Sequence, residues 1–161
     1  MSTLLPCLPF LAALGLAAAS CTPPPPAAQS TGEPSFYTAL TSADAKVDAL
    51  AARDMISIYR ANNGLPPLVI DLALQAAALA KARDMARAGT AGGRVSGIQR
   101  DVVVDNVSAG YHTLAEAFSG WRQSPQHNAN MLNPAVRRIG IATAFAPGSK
   151  YKVFWALVLS D

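Results

Sequence analysis

Two helix starts stand one directly behind the other between Thr113 and Pro125, and this is the feature that most restricts the fold of the chain. Thr113 is followed three residues later by Glu116, the spacing of a capping box in which each side chain satisfies an amide at the helix start. Leu114, Ala117, Phe118 and Trp121 then recur at helical spacing and make one apolar face. Ser124 is the next N-cap, and Pro125 occupies the first helical position, where its missing N–H costs nothing. His127 therefore falls in the first turn of a second helix, at a defined corner. The stretch Asn106–Pro134 around this corner holds both histidines of the chain and one of its two tryptophans.

The chain opens differently. Residues 1–20 are apolar and uncharged, and Leu8–Ala19 has the length of a signal-peptide core but is short for a membrane span. The segment ends Ala18-Ala19-Ser20-Cys21, which resembles a bacterial lipobox, although Ala18 stands where Leu is commoner and no Lys or Arg precedes the apolar run. The expectation is a lipoprotein signal peptide over 1–20, with Cys21 carrying acyl chains such as palmitate. The alternative is an ordinary cleaved signal with an incidental cysteine. Residues 21–40 read as a Pro-rich tether: Pro23–Pro26 favour polyproline II, a semi-rigid spacer.

A folded domain is expected over 41–161. Ser42 is placed as the cap of a first helix in which Val47, Leu50, Ala51, Met55 and Ile58 share the inner face, stopped by Gly64 and Pro66-Pro67. Asp71 caps a second helix to Ala88, with Gly89 past its end and an inner face of Ala76, Ala77, Ala78, Ala80 and Ala82. The glycine-rich run 89–101 is a loop. Val102–Val104 is the first strand. Ile139, Ile141, Thr143 and Phe145 alternate as a second, and Lys150–Leu159 is a third, apolar on both sides. Such a strand needs cover on both faces. The predicted fold is α+β, an α/β/α three-layer sandwich with a small antiparallel sheet.

With a net charge of +3 and no basic stripe interleaved with aromatics, the composition argues against a nucleic-acid partner. Both cysteines, Cys7 and Cys21, precede the folded part, which must stand on its apolar core without disulfides.

The pieces Asp105-Asn106, Gly110, Trp121, Ser124-Pro125-Gln126-His127 and Asn130-Met131-Leu132 together resemble the bacterial branch of the CAP superfamily (cysteine-rich secretory proteins, antigen 5 and pathogenesis-related one), also called SCP domains. The run Tyr59–Leu68 resembles that branch's first-helix signature. The resemblance implies the same three-layer fold and a cleft in which two histidines and two acidic residues hold a divalent metal in many members. Carried over by position, His127 is one of those histidines and Asp105 is a shortened acidic residue. No histidine stands in Gly89–Arg94, and Ser124 occupies the fourth place. The resemblance thus implies ligand-cleft candidates Asp105, Asn106, Ser124 and His127, with Asp105 hydrogen-bonded to His127 and raising its pKa. It implies no metal, no cofactor and no catalytic residue. His112 reads as an exposed turn residue.

The functional expectation is an envelope-anchored, non-enzymatic CAP domain, held at the bacterial membrane by its lipid anchor and binding an unknown ligand, lipid among the candidates. Two alternatives stand beside it. One is an envelope hydrolase, metal-dependent or built on Ser124 and His127, although no nucleophile elbow is present. The other is a structural interaction module.

Overall fold

In the computed structural model, which describes residues 32–161, the corner read from the sequence is present. Thr113 Oγ1 accepts from the Glu116 amide at 3.2 Å, and the Glu116 carboxylate accepts in return from the amides of His112 and Thr113. We number the elements in chain order: α1 Ala49–Ala61, β1 Val69–Ile70, α2 Leu72–Ala88, β2 Val103–Ala109, α3 Leu114–Gln123, α4 Pro125–Met131, β3 Arg138–Phe145 and β4 Val153–Ser160. Ser124 ends α3 and caps α4.

The sheet order is β1-β3-β4-β2. The three long strands are antiparallel, as expected, but β1 joins β3 in parallel and makes the sheet mixed. Two residues after Pro66-Pro67 are too short a run to show any periodicity, so the sequence carried no sign of β1. The first strand also runs beyond Val104 to Ala109, which places Asp105 and Asn106 inside a strand and not after one.

Every residue of β4 is buried. Its alternating side chains serve two cores. Val153, Trp155, Leu157 and Leu159 pack with Ile139, Ile141, Trp121, Ile56 and Met131 on the face covered by α1, α3 and α4. Phe154, Ala156 and Val158 pack with Leu74, Ala78, Ala82 and Met85 beneath α2. This two-sided cover is the three-layer sandwich. Trp121 and Trp155 meet edge to face at 6.1 Å between ring centres, both fully buried.

Two helix expectations are corrected. The first helix is capped by Asp48, not Ser42: its carboxylate accepts from the amides of Leu50 and Ala51, both at 3.0 Å. A carboxylate also favours the positive helix end, which a hydroxyl does only weakly. The buried stripe of α1 is Ala52, Ile56, Ser57 and Arg60, while Leu50 and Ile58 are 60% and 63% exposed. The helix carries two competing stripes, and the buried one combines Ala52 and Ile56 in the core with Arg60.

In α2 the Asp71 cap and the left-handed Gly89 stop are as read. The buried stripe, however, is Leu74, Ala78, Ala82 and Met85, with Ala76 and Ala80 exposed. Gly140 explains the close fit of α2: a Cβ there would collide with the backbone of Leu74 and Gln75.

The packed unit starts before Thr41. Leu40 is 3% exposed within the core and donates its amide to the His112 carbonyl at 2.8 Å, and Phe36 of the short turn Ser35–Tyr37 packs against the same core. The end of the expected 21–40 tether therefore belongs to the domain, because its apolar side chains find cover there. The expected signal peptide and Cys21 lie outside the described residues. No helix among the described residues is long and apolar enough to cross a membrane.

Candidate functional site

Strand alternation decides the arrangement around His127. Successive residues of β2 point to opposite faces, so Asn106 faces α4 while Asp105 faces the loop after α2. Asn106 is fully buried: its Nδ2 donates to the His127 carbonyl at 3.0 Å, and its Oδ1 accepts from Asn130 Nδ2 at 2.9 Å. Asn130 Nδ2 also donates to the Asp105 carbonyl at 2.9 Å. These bonds tie α4 to β2, and they use both polar ends of the Asn106 side chain inside the protein.

Asp105 Oδ2 accepts from the Val95 amide at 2.7 Å and so pins the glycine-rich loop. His127 is half-buried. Burial lowers its pKa, and the Asp105 charge opposes that shift without reversing it. The expected raised pKa is thus corrected. The reason is geometric: no hydrogen bond or ion pair joins Asp105 to His127 among the described residues, so the imidazole is desolvated without a direct anionic partner. Ser124 Oγ accepts from the His127 amide at 3.5 Å as a helix cap. No bond between that hydroxyl and the imidazole is present among the described residues, so the pair is not arranged as nucleophile and base. His112 is exposed and contributes its carbonyl to Leu40.

The donor set does not fit the zinc-type metal implied by the fold family. Zinc sites take at least three protein ligands. Only Asp105 and His127 are present near the family's positions, and one Asp105 oxygen is committed to Val95. No cluster of three or more His, Cys, Asp or Glu able to hold a metal occurs among the described residues.

Arg60 was not singled out by the sequence analysis, yet it is fully buried. Its guanidinium donates to the carbonyls of Pro66 at 3.0 Å, Met131 at 2.8 Å, Asn133 at 2.9 Å and Val136 at 3.1 Å. Desolvation, with the Arg137 charge adding to it, lowers its pKa. The fork geometry of arginine lets one side chain close the chain after α4 onto the end of α1. The available signal was an arginine in helical register with Ala52 and Ile56.

A concave apolar surface lies elsewhere. A groove of about 670 Å³ opens between the turn Ser35–Tyr37, α1 and α3, with Phe36, Met55, Ile58, Tyr59, Phe118 and Arg122 among its lining residues. Tyr59 and Phe118 meet edge to face at 5.5 Å, and the Arg122 guanidinium lies 5.2 Å and 5.7 Å from their ring centres. Tyr59 is held by its hydroxyl donating to Asn128 Oδ1 at 2.8 Å. Ala51 and Met55, which pack against the core at their inner side as expected, form a wall of this groove together with the exposed Ile58. None of Asp105, Asn106, Ser124 or His127 lines it.

The family model of the cysteine-rich secretory protein family, CAP, matches residues 53–159. An uncharacterized protein of Bacillus subtilis (strain 168), YkwD, is 30% identical over 115 residues, which is 63% of this chain and 45% of that protein. The chain thus spans less than half of that curated relative. Among solved structures, an extracellular protein containing an SCP domain from Bacillus anthracis aligns with a TM-score of 0.59 at 18% identity, over 70% of this chain and 39% of that one. An outer surface protein of Borrelia burgdorferi aligns with a TM-score of 0.60 at 17% identity, over 72% of this chain and 96% of that one. At these identities the two structures share the fold with this chain.

Proposed function

The chain belongs to the cysteine-rich secretory protein (CAP) family, and we propose that it is a non-enzymatic domain of the bacterial cell envelope that binds an amphiphile in the groove between α1 and α3. The carrying observation is the Arg122 guanidinium held over the rings of Tyr59 and Phe118 at the groove. An apolar chain would lie against Phe36, Met55, Ile58 and Phe118, and an anionic head would meet Arg122. The groove has the size and lining of small-molecule sites, mostly apolar with a few placed polar groups. Asp54 is the one carboxylate in the lining, and its Oδ1 lies 2.7 Å from Arg53 Nε.

Envelope placement is supported by the signal-like segment ending at Cys21, and by the extracellular and outer-surface descriptions of the two structural relatives. Lipidation at Cys21 belongs to the same proposal, and no nucleic-acid partner is included in it.

A fluorescent fatty acid titrated into the purified domain tests the reading. Saturable one-to-one binding is expected. Ile58→Glu should abolish it, and Arg122→Glu should weaken it about tenfold, the effect of losing one favourable contact of roughly 1.4 kcal/mol. Both variants should keep the wild-type circular dichroism spectrum. Absent binding, or binding untouched by both substitutions, refutes the assignment of this groove.

A further inference from the structure

We propose that the face formed by the turn Ser35–Tyr37 and the outer stripe of α1 docks on a lipid bilayer, with the rim of the α1–α3 groove against the membrane. This docking rests on the reading of Cys21 as the anchor, and it does not require the groove to bind a fatty acid.

Leu50, Asp54 and Ile58 follow one another at intervals of four residues and so share one stripe of α1. Leu50 and Ile58 are each more than half exposed, and so is Tyr37, whose ring centre lies 4.6 Å from that of Phe36. Ile58, Phe36 and Ala51, the neighbour of Leu50, line the groove, which puts the three exposed side chains at its rim. A single exposed apolar residue needs no explanation, but several grouped around an apolar concavity mark a binding surface.

Covalent geometry selects the partner. Ten residues separate Cys21 from Gly32, and a chain of that length, fully extended, reaches at most about 40 Å. Pro34 and Ser35, where the chain enters the folded unit, are themselves lining residues of the groove. A lipid on Cys21 therefore keeps this face within that distance of the bilayer. So short a tether raises the effective concentration of the surface to about millimolar, so that weak contacts suffice. Tyr37 suits the headgroup region, with an apolar ring and a polar tip. Asp54, exposed on the same stripe, holds the helix at headgroup depth, where water still reaches its carboxylate. Asp54 and Arg122 are the charged residues of the lining and oppose one another in sign, so apolar contacts carry the docking and no anionic lipid is needed. The rival exposed side chain, Leu72, starts α2 in the layer on the other face of the sheet.

The test uses the chain from Cys21 onward, in which Cys21 is the one cysteine, coupled through that thiol to a maleimide phospholipid in phosphatidylcholine vesicles. Tyr37→Trp, Ile58→Trp and Leu72→Trp each add a reporter at an exposed position, against the fully buried Trp121 and Trp155 as background. Phosphatidylcholine brominated near the headgroup end of its acyl chains quenches any indole that reaches it. Tyr37→Trp and Ile58→Trp should lose emission beyond the coupled wild type, and Leu72→Trp should not. Adding Leu50→Glu with Ile58→Glu to Tyr37→Trp should remove its loss while the circular dichroism spectrum stays that of the wild type. Equal quenching at all three positions, quenching at none, or stronger quenching of Leu72→Trp overturns the proposal, as does a loss that survives the two glutamates. Shielding of the Tyr37→Trp indole from aqueous iodide without vesicles would also overturn it. The occupant would then be a second copy if shielding rises with protein concentration, and residues 22–31 if it does not. Acylation of Cys21 in cells is read separately by Cys21→Ala, so a failed face and a failed anchor give different results.

Discussion

The side-chain amide of Asn106 donates to the carbonyl oxygen of His127 across 3.0 Å, and this bond, with the Asn130 bond to Asn106 Oδ1, fixes α4 against β2. An asparagine buried in a strand thus holds the helix whose first turn contains the histidine. The relationship is structural first: it positions the histidine's backbone and leaves the imidazole to its own surroundings.

Asn106→Leu removes this clamp at similar volume. The His127 carbonyl loses the Asn106 amide and the Asn130 amide keeps only its bond to the Asp105 carbonyl, and a buried group left unpaired costs about 1–3 kcal/mol. A loss of about 2 kcal/mol or more is expected in urea unfolding, with an unchanged m-value. An unmoved midpoint would show that water or rearrangement replaces the lost bonds.

His127 gives a pH dependence of known sign. Its folded pKa is lowered from 6.5 by burial, so the unfolded chain binds the proton more readily. The stability contributed by the neutral imidazole is complete above pH 6.5 and is lost as pH falls below that value toward the folded pKa. His127→Gln should flatten that part of the stability profile. Identical slopes for wild type and variant between pH 7 and pH 5 would assign the dependence to other groups.

Arg60→Met leaves four backbone carbonyls without their shared donor. Hydrogen bonds from a charged donor contribute about 1.5–3 kcal/mol each, so a loss of at least about 3 kcal/mol is expected. Arg60→Lys should restore little, because a compact ammonium cannot span the fork. Thermal unfolding of the two variants is the measurement, and a lysine variant close to wild type would contradict the fork argument.

Trp155→Ala removes a fully buried ring between β4 and α3, together with its Nε1 bond to the Tyr111 carbonyl at 2.8 Å. Large aromatic truncations in a core cost ~3–5 kcal/mol. Guanidinium unfolding followed by the fluorescence of Trp121 reads this directly, and a shift below about 1 kcal/mol would contradict the packing described for the two tryptophans.

Cys21→Ala tests the anchor. Full-length protein expressed in a bacterial host should partition with membranes and carry acyl mass, and the variant should do neither. Acyl chains contribute roughly 0.8 kcal/mol for each buried CH₂. Equal membrane retention of the variant would remove lipidation from the proposal.

The sequence by itself determined the features whose partners lie a few residues away. The Thr113–Glu116 box, the Ser124-Pro125 start, the Asp71 cap and the Gly89 stop are local hydrogen bonds and local backbone preferences, so residue type and spacing suffice. The need of β4 for cover on both faces was equally legible, because its composition allows no solvent face. Tertiary structure alone decided the rest. Two stripes on α1 compete; the buried one carries Arg60, which reaches carbonyls as far along the chain as Val136, and Met55 and Ile58 line a groove. Strand β2 runs through Asp105 and Asn106, so alternation sends neighbouring side chains to opposite faces and separates the carboxylate from the imidazole. The His127 pKa falls because burial outweighs a charge it does not touch. Each of these outcomes depends on a partner distant in sequence, and neither spacing nor composition specifies which distant groups will meet.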